Sequence, residues 1–137
     1  MQLPAYIDDV GTPGDAILWR YIDVERYLKD DGTASSGAFR TKRLSVYVVA
    51  AEAAPGVTTE TALRAKFPPG SRFQSFTAKQ ARDAGCIVVR IPDDDDDQSH
   101  REICPVDDPQ STLRKEADQL KRAASWVQGD GPTTTGG

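Results

Sequence analysis

Residues 77–92 read Thr77-Ala-Lys-Gln-Ala-Arg-Asp-Ala-Gly-Cys-Ile-Val-Val-Arg-Ile-Pro92, a helix signal followed directly by a strand signal. Thr77 and Gln80 stand three apart, the spacing at which an N-cap hydroxyl and an N3 amide satisfy each other's backbone N–H groups. Gly85 stands where a short helix would end, because glycine takes the left-handed cap conformation without steric cost. Cys86–Ile91 is then apolar on both faces apart from Arg90, which predicts a strand in the middle of a sheet. Pro92 ends it. A short capped helix feeding a strand, rather than a long helix or an uninterrupted run of hairpins, points to the α+β class.

The same punctuation recurs on either side. Upstream, Ala16-Ile-Leu-Trp-Arg-Tyr-Ile22 is rich in β-formers and predicts a first strand. Asp23 caps a short helix through Leu28, stopped by Asp30-Asp-Gly32. Leu44-Ser-Val-Tyr-Val-Val-Ala50 predicts a second strand, with Leu44, Val46 and Val48 on one face and Ser45, Tyr47 and Val49 on the other. Thr58 or Thr59 opens a helix through about Phe67, and Pro68-Pro69-Gly70 closes it. Downstream, residues 101–106 predict a further strand, and Asp108-Pro109 is read as the start of a last helix. Leu113, Ala117, Leu120, Ala124 and Val127 form its apolar stripe. The expectation is one compact α+β domain of four or five short strands and three or four helices, the last helix long and amphipathic. Residues 15–127 make the domain, 1–14 a polar N-terminal arm and 128–137 a disordered tail.

The chain has 137 residues, 38 % hydrophobic and 28 % charged, enough for a single modest core. Its net charge of −4 argues against generic duplex DNA binding, which depends on clustered lysine and arginine. Arg40, Lys42 and Arg43 are the only dense basic cluster. No apolar run approaches the roughly 18 residues that span a membrane, and residues 1–9 lack a signal-peptide pattern. A soluble, cytoplasmic protein follows, in which two cysteines remain thiols.

The window from Cys86 to Cys104 contains Asp93–Asp97, the only histidine, His100, and Glu102. Five adjacent carboxylates lack the alternating ligands and turn glycine of a calcium loop, so a solvated connector is the better account. Zinc would need a fourth ligand beyond Cys86, His100 and Cys104, and the chain has no other Cys or His. No metal site is expected. Nothing marks either cysteine as a lowered-pKa nucleophile. Trp19, Tyr21 and Tyr47 could stack on bases, but aromatic residues in strands serve the core more often.

Arg20, Ser45, His100 and Glu102 are the candidate catalytic residues, Arg20 and Ser45 also the candidate cofactor-binding ones. Arg20 sits between Leu18-Trp19 and Tyr21-Ile22, a place that suits a charge facing a cleft or a partner carboxylate. Leu18-Trp-Arg-Tyr-Ile22, a short helix, Gly32 and Leu44-Ser-Val46 resemble the opening of ADP-ribosyltransferase-type folds and of the related RNA 2′-phosphotransferases. That resemblance implies Arg20 binding NAD, Ser45 supporting the nicotinamide ribose and a catalytic Glu102. The chain departs from the pattern in having no Ser-Thr-Ser run and in placing His100 two residues before Glu102. Leu18–Ile22, Ser35–Phe39, Leu44–Val46, His100–Ile103 and Ala123–Val127 together also resemble a group of small uncharacterised bacterial proteins. The alternative for Arg20 and Glu102 is a strand-to-strand ion pair. The leading expectation is a small bacterial accessory or binding domain that acts through a protein partner, without a cofactor. The other is an NAD-dependent ADP-ribosyltransferase-like enzyme.

Overall fold

The computed structural model of the chain describes residues 7–90 and 98–129. Among them, six strands pair into one antiparallel sheet: β1 (Ile17–Ile22), β2 (Leu44–Val49), β3 (Arg72–Thr77), β4 (Cys86–Val89), β5 (His100–Pro105) and β6 (Ser125–Trp126). Their spatial order is β4-β5-β2-β1-β3-β6. The helices are α1 (Val24–Tyr27), α2 (Glu60–Arg64), α3 (Ala78–Asp83) and α4 (Lys115–Ala123). No helix among the described residues is long and apolar enough to cross a membrane.

The period-two pattern divides the sheet into two faces. One carries Leu18, Ile22, Leu44, Val46, Val48, Phe76, Val88 and Ile103, all buried. Ala78 and Ala81 of α3, and Leu113, Ala117 and Leu120 in and before α4, close over it. The small alanines let α3 lie close to the sheet. The opposite face carries a second cluster, with Trp19, Val49, Leu63, Phe73 and Val127 buried. Phe67 is its hub, with its ring centroid 4.9 Å from Tyr21 and 5.2 Å from Phe73.

The capping box forms as expected. The Thr77 N–H donates to Gln80 Oε1 at 2.8 Å and the Gln80 N–H to Thr77 Oγ1 at 3.0 Å. Gly85 follows α3 with φ of 90°. Thr59 caps α2 by accepting from the Ala62 N–H, but α2 ends at Arg64, short of Phe67.

Three expectations are corrected. β4 is an edge strand, not a central one. Its outer side is satisfied by the N-terminal arm: the Asp9 N–H donates to the Val88 carbonyl at 2.7 Å, and Asp8 Oδ1 accepts from the Val88 N–H at 2.9 Å. An edge covered in this way tolerates apolar side chains on both faces. The described part of the arm is thus bound to the domain rather than a simple lead-in. Second, β3 was not expected, since Arg72, Gln74 and Ser75 dilute its apolar pattern. It forms because all six of its residues register against β1. Third, the last helix begins at Lys115 and has 9 residues. Asp108-Pro109 makes a turn instead, in which the Asp108 carbonyl accepts from the Ser111 N–H at 2.9 Å. The stripe is split accordingly: Ala117 and Leu120 belong to α4, whereas Val127 lies past β6 in the second cluster. Asp93–Asp97 and residues 130–137 lie outside the described residues, and with them the connector and most of the tail.

Candidate functional site

Arg20 leaves the sheet on the face that α3 and α4 cover. It registers opposite Gln74, between the pairs Leu18–Phe76 and Ile22–Arg72. Its Nε donates to the Ala38 carbonyl and its Nη1 to the Ser45 carbonyl, both at 3.3 Å. Arg20 therefore staples the 3-10 turn Ser36–Ala38 to the backbone of β2. Burial lowers its pKa from the usual arginine value.

Ser45, His100 and Glu102 leave by the opposite face. Ser45 registers directly across from Glu102 and Tyr47 across from His100. Trp19, the neighbour of Arg20, registers across from Tyr47, which places Arg20 on the other side of the sheet from that group. The pocket shared by Arg20, Ser45 and Glu102 that a transferase would need is not formed, and neither is an Arg20–Glu102 ion pair. Sequence reading placed a charge among apolar neighbours and inferred a cleft or a carboxylate. The charge is met by carbonyl oxygens instead.

What the fold does bring together is a half-buried polar cluster on β2 and β5. Ser45 Oγ lies 2.5 Å from His100 Nε2. The Tyr47 and His100 rings pack at 5.5 Å, tilted by 49°. The Glu102 side chain is only 12 % exposed, and its Oε2 lies 3.8 Å from Nε of the half-exposed Arg43. That separation gives Coulombic attraction without a hydrogen bond. Glu102 Oε1 is buried and has no hydrogen-bond partner among the described residues. Arg43 precedes β2 with a left-handed φ of 55°, an uncommon conformation for a residue with a long side chain.

A Ser–His contact is the start of a nucleophile and base pair, and among the described residues no third group is hydrogen-bonded to the pair. Glu102 stands two residues from His100 on the same strand and makes no hydrogen bond to it among the described residues. The Ser45 backbone lies inside the β2 ladder, where N–H groups are committed to pairing and do not converge on an oxyanion. Among the described residues the cluster combines a buried acceptor, a hydroxyl–imidazole pair and the Tyr47 ring.

Tyr47 and Arg43 are the members that sequence reading did not join to the trio. Tyr47 had a signal, because alternation along β2 puts it on the face of Ser45. The basic cluster is divided, with Arg43 beside Glu102 and Arg40 3.8 Å from Asp118. Trp19 is buried, and Tyr21 and Tyr47 both pack on Phe67, so all three aromatic candidates for base stacking contribute to the second cluster.

The cysteines stand apart from each other. Cys86 registers with Pro105 and Cys104 with Ile87, so the two side chains leave opposite faces of adjacent strands. Burial pushes the Cys86 thiol up to about 12 and the Cys104 thiol up to about 11. No group of three or more His, Cys, Asp or Glu among the described residues could hold a metal ion. Two shallow grooves of about 400 and 500 Å³ lie elsewhere, one beside Gly56 and Ser99 and one beside Asp108 and Glu116. Neither is lined by Arg20, Ser45, His100 or Glu102.

No family model matches the chain, and neither does any curated protein or solved structure.

Proposed function

We propose that the chain is a small bacterial binding domain that works in the cytoplasm through a protein partner, with the sheet face around Ser45, Tyr47, His100 and Glu102 as its recognition surface. One observation carries the reading: Glu102 holds a buried carboxylate oxygen that no donor satisfies among the described residues. An orphaned buried acceptor of this kind costs about 1–3 kcal/mol, and native structures keep few of them. A partner that brings a donor converts that cost into affinity. The second apolar cluster beside it, built on Trp19, Phe67 and Phe73, gives the surface a rigid backing.

Site-specific photo-crosslinking tests the reading. A benzophenone amino acid replaces Tyr47 in one variant and the exposed Lys79 of α3 in another. In extracts of the cells that make the protein, the position-47 variant is expected to give a discrete adduct that unlabelled protein competes away. Equal adducts from both positions, or none from position 47, would refute it.

A further inference from the structure

We propose that the outer edge of β4 is a second docking site, which takes an extended, aspartate-bearing segment of a protein partner by strand addition, and that the N-terminal arm is its placeholder. This edge uses neither Ser45, Tyr47, His100 nor Glu102. On its inner side β4 pairs with β5, Ile87 opposite Cys104 and Val88 opposite Ile103. Val88 turns its N–H and carbonyl away from β5, to Asp8 and Asp9, and antiparallel alternation turns those of Cys86 to the same outer side. Among the described residues the arm bonds the groups of Val88 alone. It then turns off the edge. The Asp9 carbonyl accepts from the Thr12 N–H at 3.0 Å, and the Asp9 carboxylate accepts from the Gly11 N–H at 3.1 Å and the Thr12 hydroxyl at 2.7 Å. One backbone bond and one side-chain bond are therefore all that the arm gives to β4, where a paired strand would run on to Cys86.

The contacts of the arm define the chemistry of what replaces it. Arg82 donates to Asp8 Oδ1 at 3.0 Å and to the Asp9 carbonyl at 2.9 Å. A neutral segment that displaced the arm would leave this guanidinium without its carboxylate, whereas one that carries an aspartate restores a charge-assisted bond. The apolar side chains of the arm add little to its hold, since Ile7 is 69 % and Val10 90 % exposed. A segment that keeps a carboxylate on Arg82 and pairs its backbone with both Val88 and Cys86 makes more bonds than the arm does, which is the usual source of affinity in strand addition. Displacement has to reach no further than Asp8 and Asp9, because Thr12 is held separately by Arg101 at 2.9 Å. The docked arm lowers the apparent affinity for the partner by the fraction of molecules in which it is seated.

The test is fluorescence anisotropy with the whole chain at low micromolar concentration and two fluorescein-labelled, amidated peptides, Thr-Ile-Asp-Val-Thr and the same peptide with lysine at its centre. The aspartate peptide is expected to bind the unmodified protein, and to bind Asp8→Ala, in which the arm is released, at least tenfold more tightly. The lysine peptide is expected to bind each form at least tenfold more weakly than the aspartate peptide. Adding Arg82→Gln to Asp8→Ala is expected to weaken the aspartate peptide at least fivefold. Hydrogen exchange locates the contact: the aspartate peptide is expected to slow exchange in Cys86–Val89 and to leave Leu44–Val49 unchanged. The lysine comparison and the exchange footprint are both read on the unmodified protein, so they stand even if a variant fails to fold. Equal affinity for the unmodified protein and Asp8→Ala, equal binding of the lysine peptide, or no binding to either form overturns the proposal. A footprint on Leu44–Val49 instead of β4 overturns it as well. So does an unmodified protein that elutes as a dimer at these concentrations, since the edge would then be exchanging arms between copies.

Discussion

Replacing Glu102 with methionine is expected to make the protein more stable. The wild-type carboxylate carries a cost and a gain. The cost is the buried, unpartnered Oε1, about 1–3 kcal/mol for an acceptor removed from water without a replacement bond. The gain is attraction to Arg43 at 3.8 Å, and because Arg43 is 49 % exposed, solvent screening holds that pair to about 0–1 kcal/mol. Methionine has nearly the same length, adapts its rotamers to irregular space and brings no polar atom. The surroundings suit it, since Val89 and Cys104 beside Glu102 on β4 and β5 are buried. The net expectation is a stabilisation of about 1–2 kcal/mol, or a rise in melting temperature of roughly 4–8 °C for a chain of this size. Urea denaturation followed by tryptophan fluorescence measures it, because Trp19 is buried in the neighbouring cluster. A loss of more than about 0.5 kcal/mol in Glu102→Met would refute the reasoning, since it would mean that the carboxylate is satisfied and structural. Stabilisation with loss of binding is the pattern of a residue kept for recognition.

Arg101→Met is expected to do the reverse, at a cost of about 3–5 kcal/mol in the same urea experiment, because it breaks a buried charged network by removing one partner. Arg101 is 4 % exposed, and its guanidinium donates to Thr12 Oγ1, to the carbonyls of Gln98, His100 and Gly56, and lies 3.7 Å from Asp9. Loss of under about 1 kcal/mol would contradict this account. Thr77→Ala removes one half of the capping box and is expected to cost about 1 kcal/mol by the same measurement, with Thr77→Ser recovering most of it. The thiols predict a pH dependence. Both folded-state pKa values are raised, Cys86 to about 12 and Cys104 to about 11, from an ordinary value of 9.0. The unfolded chain therefore loses these protons first, so the contribution to stability is full below pH 9 and is lost as pH rises from 9 towards 12. A Cys86→Ala, Cys104→Ala double variant is expected to show a shallower loss of melting temperature over that window. An identical slope would sink the assignment.

Local signals in the sequence carried as far as local physics reaches. The β1 and β2 segments, the Thr77–Gln80 cap and the Gly85 stop depend on neighbours within a few residues, and each forms as read. β3 depends on β1, 50 or more positions earlier, and its own residues Arg72, Gln74 and Ser75 give no alternating pattern. The start of α4 was misread because Asp108-Pro109 serves a turn as well as a helix N-terminus. Ser45, His100 and Glu102 were recognisable as polar residues in or beside strands. What joins them is the register of β2 against β5, in which residues 55 apart in sequence come within a hydrogen bond. Arg20 was recognisable as an anomaly, but not the side of the sheet it leaves from, nor that carbonyl oxygens of Ala38 and Ser45 would receive it.

The arm that covers β4 is expected to govern self-association. Asp8 and Asp9 occupy the Val88 N–H and carbonyl, groups that on a bare edge would template a strand of another molecule. Among the described residues the arm is tied on by Arg82, which donates to Asp8 at 3.0 Å and to the Asp9 carbonyl at 2.9 Å, and by Arg101, which donates to Thr12 and lies 3.7 Å from Asp9. These tethers are polar and lie outside the apolar core, so the arm is expected to detach in a local opening of lower free energy than global unfolding. Hydrogen exchange would report it as faster protection loss at Asp9 and Val88 than at Val46. Self-association would then follow the docking equilibrium of the arm more closely than the melting temperature. A variant weakened only at Asp8 would aggregate while still folded.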